Sequence, residues 1–331
     1  MNILITGSAG LIGSNFSEWI LKNKPEINII GIDDLSGGYK ENVPKQINFF
    51  RLNLLDYEKV EDIFKNFNID YIYHFSAYAA EGLSPFIRKY NYNNNLLVTT
   101  NLINLAIKYK IKKFVFTSSM AVYGKGNAPF NEKDLPRPID PYGIAKLACE
   151  MDLKIAKDQH GLEYCIIRPH NVYGVNQNIW DKYRNVLGIW INQYLNNQAI
   201  TIYGDGEQER AFTYISDIME PLWNAIVKKE SSGEIINLGG IEESTLNNAK
   251  DILLEIIGDK NYPVEYLKER HEVKKAWSTY QKSIDILNFK HQTKLKDGLL
   301  IMLDWAKKQP KREIKKWKNY ELENNIYDYW K

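Results

Sequence analysis

The chain has 331 residues, 44% hydrophobic and 25% charged, with a formal net charge of +2. This balance excludes a disordered chain or a small disulfide-stapled scaffold, and the length allows a core that needs no metal or cross-link. The near-neutral charge gives no bulk signal for nucleic acid, and no apolar run approaches the ~18 residues of a membrane span, so neither nucleic acid nor membrane insertion is expected.

The first residues lack a basic leader and run straight into a glycine turn, so 2–6 reads as a strand and not as a signal peptide. Further strands are predicted at 27–32, 47–52, 71–75, 113–117 and 163–168. Helix-like segments lie between them at 14–23, 57–66, 91–110 and 142–160. Strands that are continuous apolar runs, alternating with amphipathic helices, predict an α/β fold with a doubly wound parallel sheet covered on both faces. Beyond 168 the pattern loosens. Residues 171–183 read as a polar loop, 185–197 as a helix, 234–238 as a strand returning to the sheet, and 246–257 and 295–308 as helices. The basic, aromatic tail from Lys307 reads as a solvated helix with its aromatics packed on the body, or as a docking surface for a membrane or partner. Cys149 and Cys165 have no CxxC spacing and the five histidines no ligand spacing, so a reduced cytoplasmic setting and no metal are expected. His74, ending a strand, reads as a satisfied interior histidine.

Gly7-Ser8-Ala9-Gly10-Leu11-Ile12-Gly13 follows the first strand and opens the first helix. Gly7 permits the turn, Gly10 lets a pyrophosphate approach the backbone, and Gly13 lets helix and strand pack closely. The free amides of the helix start then suit phosphate. The second strand ends in Asp33-Asp34. A carboxylate there accepts from both hydroxyls of an adenosine ribose and repels a 2′-phosphate, so the expected cofactor is NAD. Asn53-Leu54 can flank the adenine, and Phe75-Ser76-Ala77 can run along the cofactor.

Tyr142-Gly143-Ile144-Ala145-Lys146 puts a phenol and an ammonium on one helix face. A free tyrosine, with a pKa near ~10, is a poor base, but a neighbouring ammonium and a positively charged nicotinamide favour its phenolate. Lys146 can also hold the nicotinamide ribose. Upstream, Phe116-Thr117-Ser118-Ser119-Met120-Ala121-Val122-Tyr123-Gly124 ends a predicted strand, where ligands of open α/β sheets collect. A serine there can bind a reacting sugar oxygen.

These motifs, with Arg168-Pro169-His170-Asn171-Val172-Tyr173-Gly174 and Tyr203-Gly204-Asp205-Gly206 followed by Arg210, resemble the extended short-chain dehydrogenase/reductase family, in its NAD-dependent nucleotide-sugar epimerase/dehydratase branch. The likeness runs from Asn2 to about Phe289. It implies a Rossmann domain over 1–174 with a return segment at about 211–241, a substrate lobe from 175–210 and 242–310, and a tail at 311–331. It implies that Tyr142 is the base for a C4 hydroxyl, Lys146 its activator and Ser119 the serine on the sugar oxygen. It assigns Asn94, Thr117, Ser118 and Arg168 to the cofactor, with His170 lining the pocket. It also assigns Asn171, Arg210 and Arg270 to a nucleotide diphosphate. In 178–185, Trp180 or Tyr183 can stack on a base, and Lys182 or Arg184 can reach phosphates. Helices 91–110 and 142–160 match the family's dimer pair, so a homodimer is expected.

The later chemistry rests on neighbouring residues. Dehydratase relatives carry Asp-Glu after the position of Ser119, and decarboxylating relatives a glutamate at that of Ala121. Met120-Ala121 cannot move a proton, which points to a C4 epimerase acting on a nucleotide-diphosphate sugar. A C4 dehydrogenase releasing the keto sugar is the alternative, and a non-catalytic dinucleotide sensor the rival of another class. Departures include Ala211 where the family has Asp. Another is the stretch 78–84, which lacks a basic residue and offers Glu81 and Ser84 to the sugar instead.

Overall fold

In a computed structural model, which describes residues 1–330, the predicted apolar runs form one sheet. Its strands are β1 (Asn2–Thr6), β2 (Asn28–Asp33), β3 (Asn48–Arg51), β4 (Tyr71–His74), β5 (Lys113–Thr117), β6 (Tyr164–Pro169) and Glu234–Leu238. The order is β3-β2-β1-β4-β5-β6 with Glu234–Leu238 outermost, and every pairing is parallel. Chain direction reverses its march between β1 and β4, the switch point at which such sheets open a crevice.

Alternation along each strand feeds two cores. Ile3, Ile5 and Val115 face one with Phe16 and Leu222, whereas Leu4, Phe114 and Phe116 face the other with Val60, Leu102 and Leu153. On the second face lie α2 (Tyr57–Asn66), whose buried Val60, Ile63 and Phe64 form a helical stripe, α4 (Val98–Lys108) and α5 (Pro141–His160). Helix α5 begins where its sequence says it should. Asp140 accepts a hydrogen bond from the Gly143 amide at 2.9 Å, Pro141 occupies the first turn, and Gly161 ends the helix at φ +73°. Helix α1 (Leu11–Asn23) lies on the first face.

The single helix expected over 91–110 is already helical at α3 (Arg88–Tyr92), passes through a π turn at Asn93–Leu97, and continues as α4. The wide turn serves Asn95. Its buried amide accepts from the Tyr78 amide at 3.1 Å and donates to the carbonyls of Asn91 and Tyr78. Asn91 in turn donates to the Pro141 carbonyl at 3.0 Å, tying this helix to the start of α5.

Two helices, Met219–Val227 and Gln281–Leu287, and several two- to four-residue strands were not expected. They are too short for a hydrophobic period to declare itself, and packing holds them. The tail departs most. From Lys307 onward the one described turn of helix is Asp328–Trp330, and the rest runs extended across the body. Among the described residues no helix is long and apolar enough to cross a membrane.

The close seat of α1 on β1 depends on Gly13, where an added Cβ would stand 2.2 Å from the Gly7 carbonyl oxygen. Backbone cannot yield as a side-chain tip can. Gly13→Ala is therefore expected to cost about 2–3 kcal/mol or more, read as a lowered unfolding midpoint in calorimetry; an unchanged midpoint would contradict the close-packing account.

Candidate active site

A cavity of about 880 Å³ opens at the carboxyl ends of the strands. At one end stand Gly7, Gly10, Leu11, Ile12, Gly13, Asp33 and Asp34, with the Ser36–Gly38 turn beside them. No side chain caps α1, so its first amides face the cavity. The carboxylate of Asp33 accepts from the amides of Ala9 at 3.0 Å and Leu35 at 2.8 Å, which braces the glycine loop against the second strand. Burial pushes Asp33 up, and those amides with Arg184 oppose it. Each of its oxygens keeps a second lone pair, so ribose hydroxyls can still be accepted. These donors and this carboxylate fit NAD.

Phe75, Ser76, Ala77, Asn94, Thr117 and Ser118 line the middle. Beyond them Glu81, Ser119, Met120, Tyr142, Lys146, Asn171, Arg210 and Arg270 surround the far end. The ammonium of Lys146 is buried and donates to the Thr117 carbonyl at 2.8 Å. Burial lowers it to about 8, while Cys149 and Glu150 hold it up. It stands 5.9 Å from the centre of the Tyr142 ring. Burial, then Glu81, push the Tyr142 phenol up, and the Ser119 hydroxyl beside it pulls the other way. Ser119 itself accepts from the Ala121 amide at 3.1 Å. The Tyr142 amide donates to Ser84 Oγ at 3.2 Å, and that hydroxyl donates to the Glu81 carbonyl.

Six expected residues do not line the cavity. Ala9 is internal to the glycine loop, and Leu54 belongs to the second core. Asn53 stays at the rim, its amide 3.4 Å from Asp34. Ser84 positions Tyr142 and Glu81 from behind. Arg168 forms a buried ion pair, donating to both oxygens of Glu150 at 2.9 and 2.5 Å and stacking 4.7 Å from the Tyr123 ring. The same Glu150 accepts from Ser118 at 2.5 Å. His170 is fully buried against Ser278 at 2.7 Å, and burial lowers it to about 3, so it is neutral and internal. A motif aligns backbones, whereas here these side chains turn away from the cleft. His74 is satisfied by Thr6 and Thr99 at 2.7 and 2.9 Å, as its sequence position suggested.

Arg184 falls at the dinucleotide end, not beside the other arginines. It pairs with Asp181 at 2.9 Å, and a Cβ at Gly37 would stand 3.1 Å from its guanidinium. Arg210 and Arg270 share Glu272, at 2.9 and 3.8 Å, and Arg270 lies 4.0 Å over the Tyr203 ring. Asp140 and Glu272 are further members of this wall that sequence reading missed. Asp140 just precedes the helix expected from residue 142, and its capping geometry and its facing the cavity emerge only in the fold.

The tail is the largest surprise. Lys315 donates its amide to the Trp180 carbonyl and its ammonium to the Ser36 carbonyl, both at 2.8 Å. Arg312 pairs with Glu41 and lies 4.0 Å over Tyr39. Trp317 packs on Tyr90 and Tyr78, and Tyr320 bonds Tyr183. Glu321 accepts from the amides of Lys89 and Tyr90 at the head of α3. Trp330 is buried against Phe86, Tyr183 and Tyr327. Leu322, Asn324, Asn325, Tyr327 and Tyr329 line the cavity. Thus Trp180, which could have met a base, anchors the strap, and Tyr183 both bonds Tyr320 of the strap and lines the cavity.

Residues 3–239 match the model of the NAD dependent epimerase/dehydratase family, and the chain belongs to that family. It is similar in structure to the UDP-glucose 4-epimerase of Thermotoga maritima, solved with UDP-glucose, at 32% identity and a TM-score of 0.87, covering 93% of this chain and 99% of that one. The UDP-glucuronic acid 4-epimerase of Bacillus cereus, solved with UDP-glucuronic acid and NAD, is 30% identical with a TM-score of 0.85, over 93% and 99%. Among sequences, an uncharacterized UDP-glucose epimerase of Bacillus subtilis, YtcB, is 31% identical over 90% of this chain and 96% of its own. The chain is thus an NAD-dependent enzyme of the epimerase/dehydratase class.

Arg168→Met would strand the buried Glu150 carboxylate. Urea denaturation is expected to register a loss of about 3–5 kcal/mol, while the folded fraction keeps its full NAD content. Lost NAD at unchanged stability would instead return Arg168 to the cofactor.

Proposed function

We propose that this enzyme is a nucleotide-sugar 4-epimerase that retains its NAD through each cycle. The observation that carries the reading is the convergence of Tyr142, Lys146 and Ser119 in the cavity that also holds the glycine loop and Asp33. When bound, NAD would take the C4 hydride and return it. Lys146, desolvated and held by a neutral carbonyl, keeps a charge that favours the Tyr142 phenolate. Tyr142 removes the C4 hydroxyl proton and restores it once the sugar has presented its other face. Ser119 hydrogen-bonds the same oxygen and holds it against Tyr142.

Arg210 and Arg270, with Asn171, take the diphosphate through their forked donors, and Glu272 must share or release them. The relatives bound to UDP-glucose and UDP-glucuronic acid support a nucleotide sugar as substrate. Met120 and Ala121 border the cavity without an ionisable group, which favours simple C4 inversion over elimination. The strap over the cavity favours retained cofactor. The free, buried Cys149 and Cys165 suit a reducing cytoplasm. On α5 the exposed Ile144, Met151 and Ile155 share one face near exposed Leu97, which supports a homodimer through this surface.

The direct test incubates the NAD-loaded enzyme with UDP-, GDP-, CDP- and dTDP-sugars and follows C4 by NMR. Inversion without net NADH is the expected result. A product lacking its C6 hydroxyl, or accumulating ketone, would overturn it. Tyr142→Phe should reduce turnover by about 10²–10⁴-fold while NAD still co-purifies; undiminished turnover removes Tyr142 from the role of base. Truncation after residue 310 should let NAD wash out on gel filtration, and retention would refute the strap as a lock. Met151→Glu with Ile155→Glu should yield a monomer by sedimentation, whereas a persisting dimer would move the interface elsewhere.

A further inference from the structure

Among the described residues, Glu81 is the one carboxylate of the cavity wall for which no hydrogen bond or ion pair to its side chain is formed. Asp33 is bonded to the amides of Ala9 and Leu35, Asp140 caps α5 through Gly143, and Glu272 holds Arg210 and Arg270. Glu81 stands open to the cavity, ringed by protein. Its place is the sugar end. Its carbonyl is fixed by the Ser84 hydroxyl that also receives the Tyr142 amide. The next residue, Gly82, adjoins the diphosphate arginines and the strap, since a Cβ there would stand 3.7 Å from an Arg270 nitrogen and 3.3 Å from the Trp330 ring.

The charges facing Glu81 come from several elements. Asp140 and Tyr142 lie on the start of α5, Arg210 on the strand Glu209–Ala211, and Arg270 and Glu272 on the loop before Lys275. His271 on that loop faces Asp140. Among the described residues the two cations that act on Glu81 are already engaged, since Arg210 and Arg270 share Glu272. Lys146 is held by the Thr117 carbonyl, and Arg184, whose charge also reaches Tyr142, is paired with Asp181.

We infer that Glu81 is the specificity-determining residue of the sugar pocket, accepting hydrogen bonds from sugar hydroxyls and excluding sugars that carry a carboxylate. The inference rests on the nucleotide-sugar reading of the site, and it separates this chain from its relative bound to UDP-glucuronic acid. Burial and then Asp140 push Glu81 up to about 7, with Arg210 and Arg270 opposing. The exclusion is therefore pH-dependent. Below that range Glu81 is protonated and tolerates a carboxylate; above it the two anions repel. One like-charge contact of this kind corresponds to a pKa effect of about one to two units, or about ten- to a hundredfold in binding.

The test is calorimetric titration of the NAD-loaded enzyme with UDP-glucose and UDP-glucuronate at pH 6 and pH 8, for the natural chain and for Glu81→Gln. At pH 8 the natural chain should bind UDP-glucuronate at least tenfold more weakly. The gap should narrow at pH 6 and in Glu81→Gln at both pH values. Equal binding at pH 8, or a gap indifferent to pH and to the substitution, overturns the assignment. The pH comparison in the natural chain needs no variant to fold. Because the readout is binding, a preserved gap without C4 inversion would sink the epimerase reading and leave the selectivity standing.

Discussion

The site is built around an ammonium taken out of water and bonded to no carboxylate among the described residues. Lys146 is almost fully buried and donates to the neutral Thr117 carbonyl, while the charge of Glu150 acts on it from a distance. A carboxylate is close at hand one turn along the helix, in Glu150, but Arg168 engages both of its oxygens and Ser118 adds a third bond. Glu150 is thereby fixed by bonds to Arg168 and Ser118, and it reaches Lys146 through its charge alone. Desolvation of Lys146 is costly, and the packing of α5 on β5 and β6 offsets it.

A second constraint is closure. The cleft of a doubly wound sheet is open at its rim, and here a strap of the last residues crosses it. That strap is held by backbone bonds, by ring contacts and by Glu321 on the amides at the start of α3. Since α3 leads through the π turn to Asn95 and the Tyr78 loop, and Asn91 of α3 holds the Pro141 carbonyl, the tail, the cofactor floor and the start of α5 are mechanically linked. The strap over the cavity and the position of Tyr142 therefore share one support.

Much of this was legible along the chain. The strands of residues 2–6, 113–117 and 234–238 and the helices of 57–66 and 246–257 have the bounds that their patterns predict. The pattern over 142–160 announced α5, and the glycine loop with Asp33 announced the dinucleotide end. Arg168 and His170 were misread because a motif reports that a backbone passes a site, not which way a side chain turns. Arg184, read in 178–185 as able to reach phosphates, is brought by the fold beside Gly37, far away in sequence. The tail resembled an amphipathic helix because its basic and aromatic residues alternate closely, but its rings pair with Tyr78, Tyr90, Phe86 and Tyr183, partners that no local pattern reveals.

Local chemistry determined the elements, the NAD loop and the Tyr142–Lys146 face, since helix periodicity, capping and glycine conformation act over a few residues. Tertiary structure alone decided which charges are spent and which remain. Glu150 is consumed by Arg168, Glu272 by two arginines and Asp33 partly by the loop it braces, whereas among the described residues Glu81 is left open to the cavity. Electrostatic energy depends on distance and burial in space, and neither quantity is written in the spacing of residues along a chain.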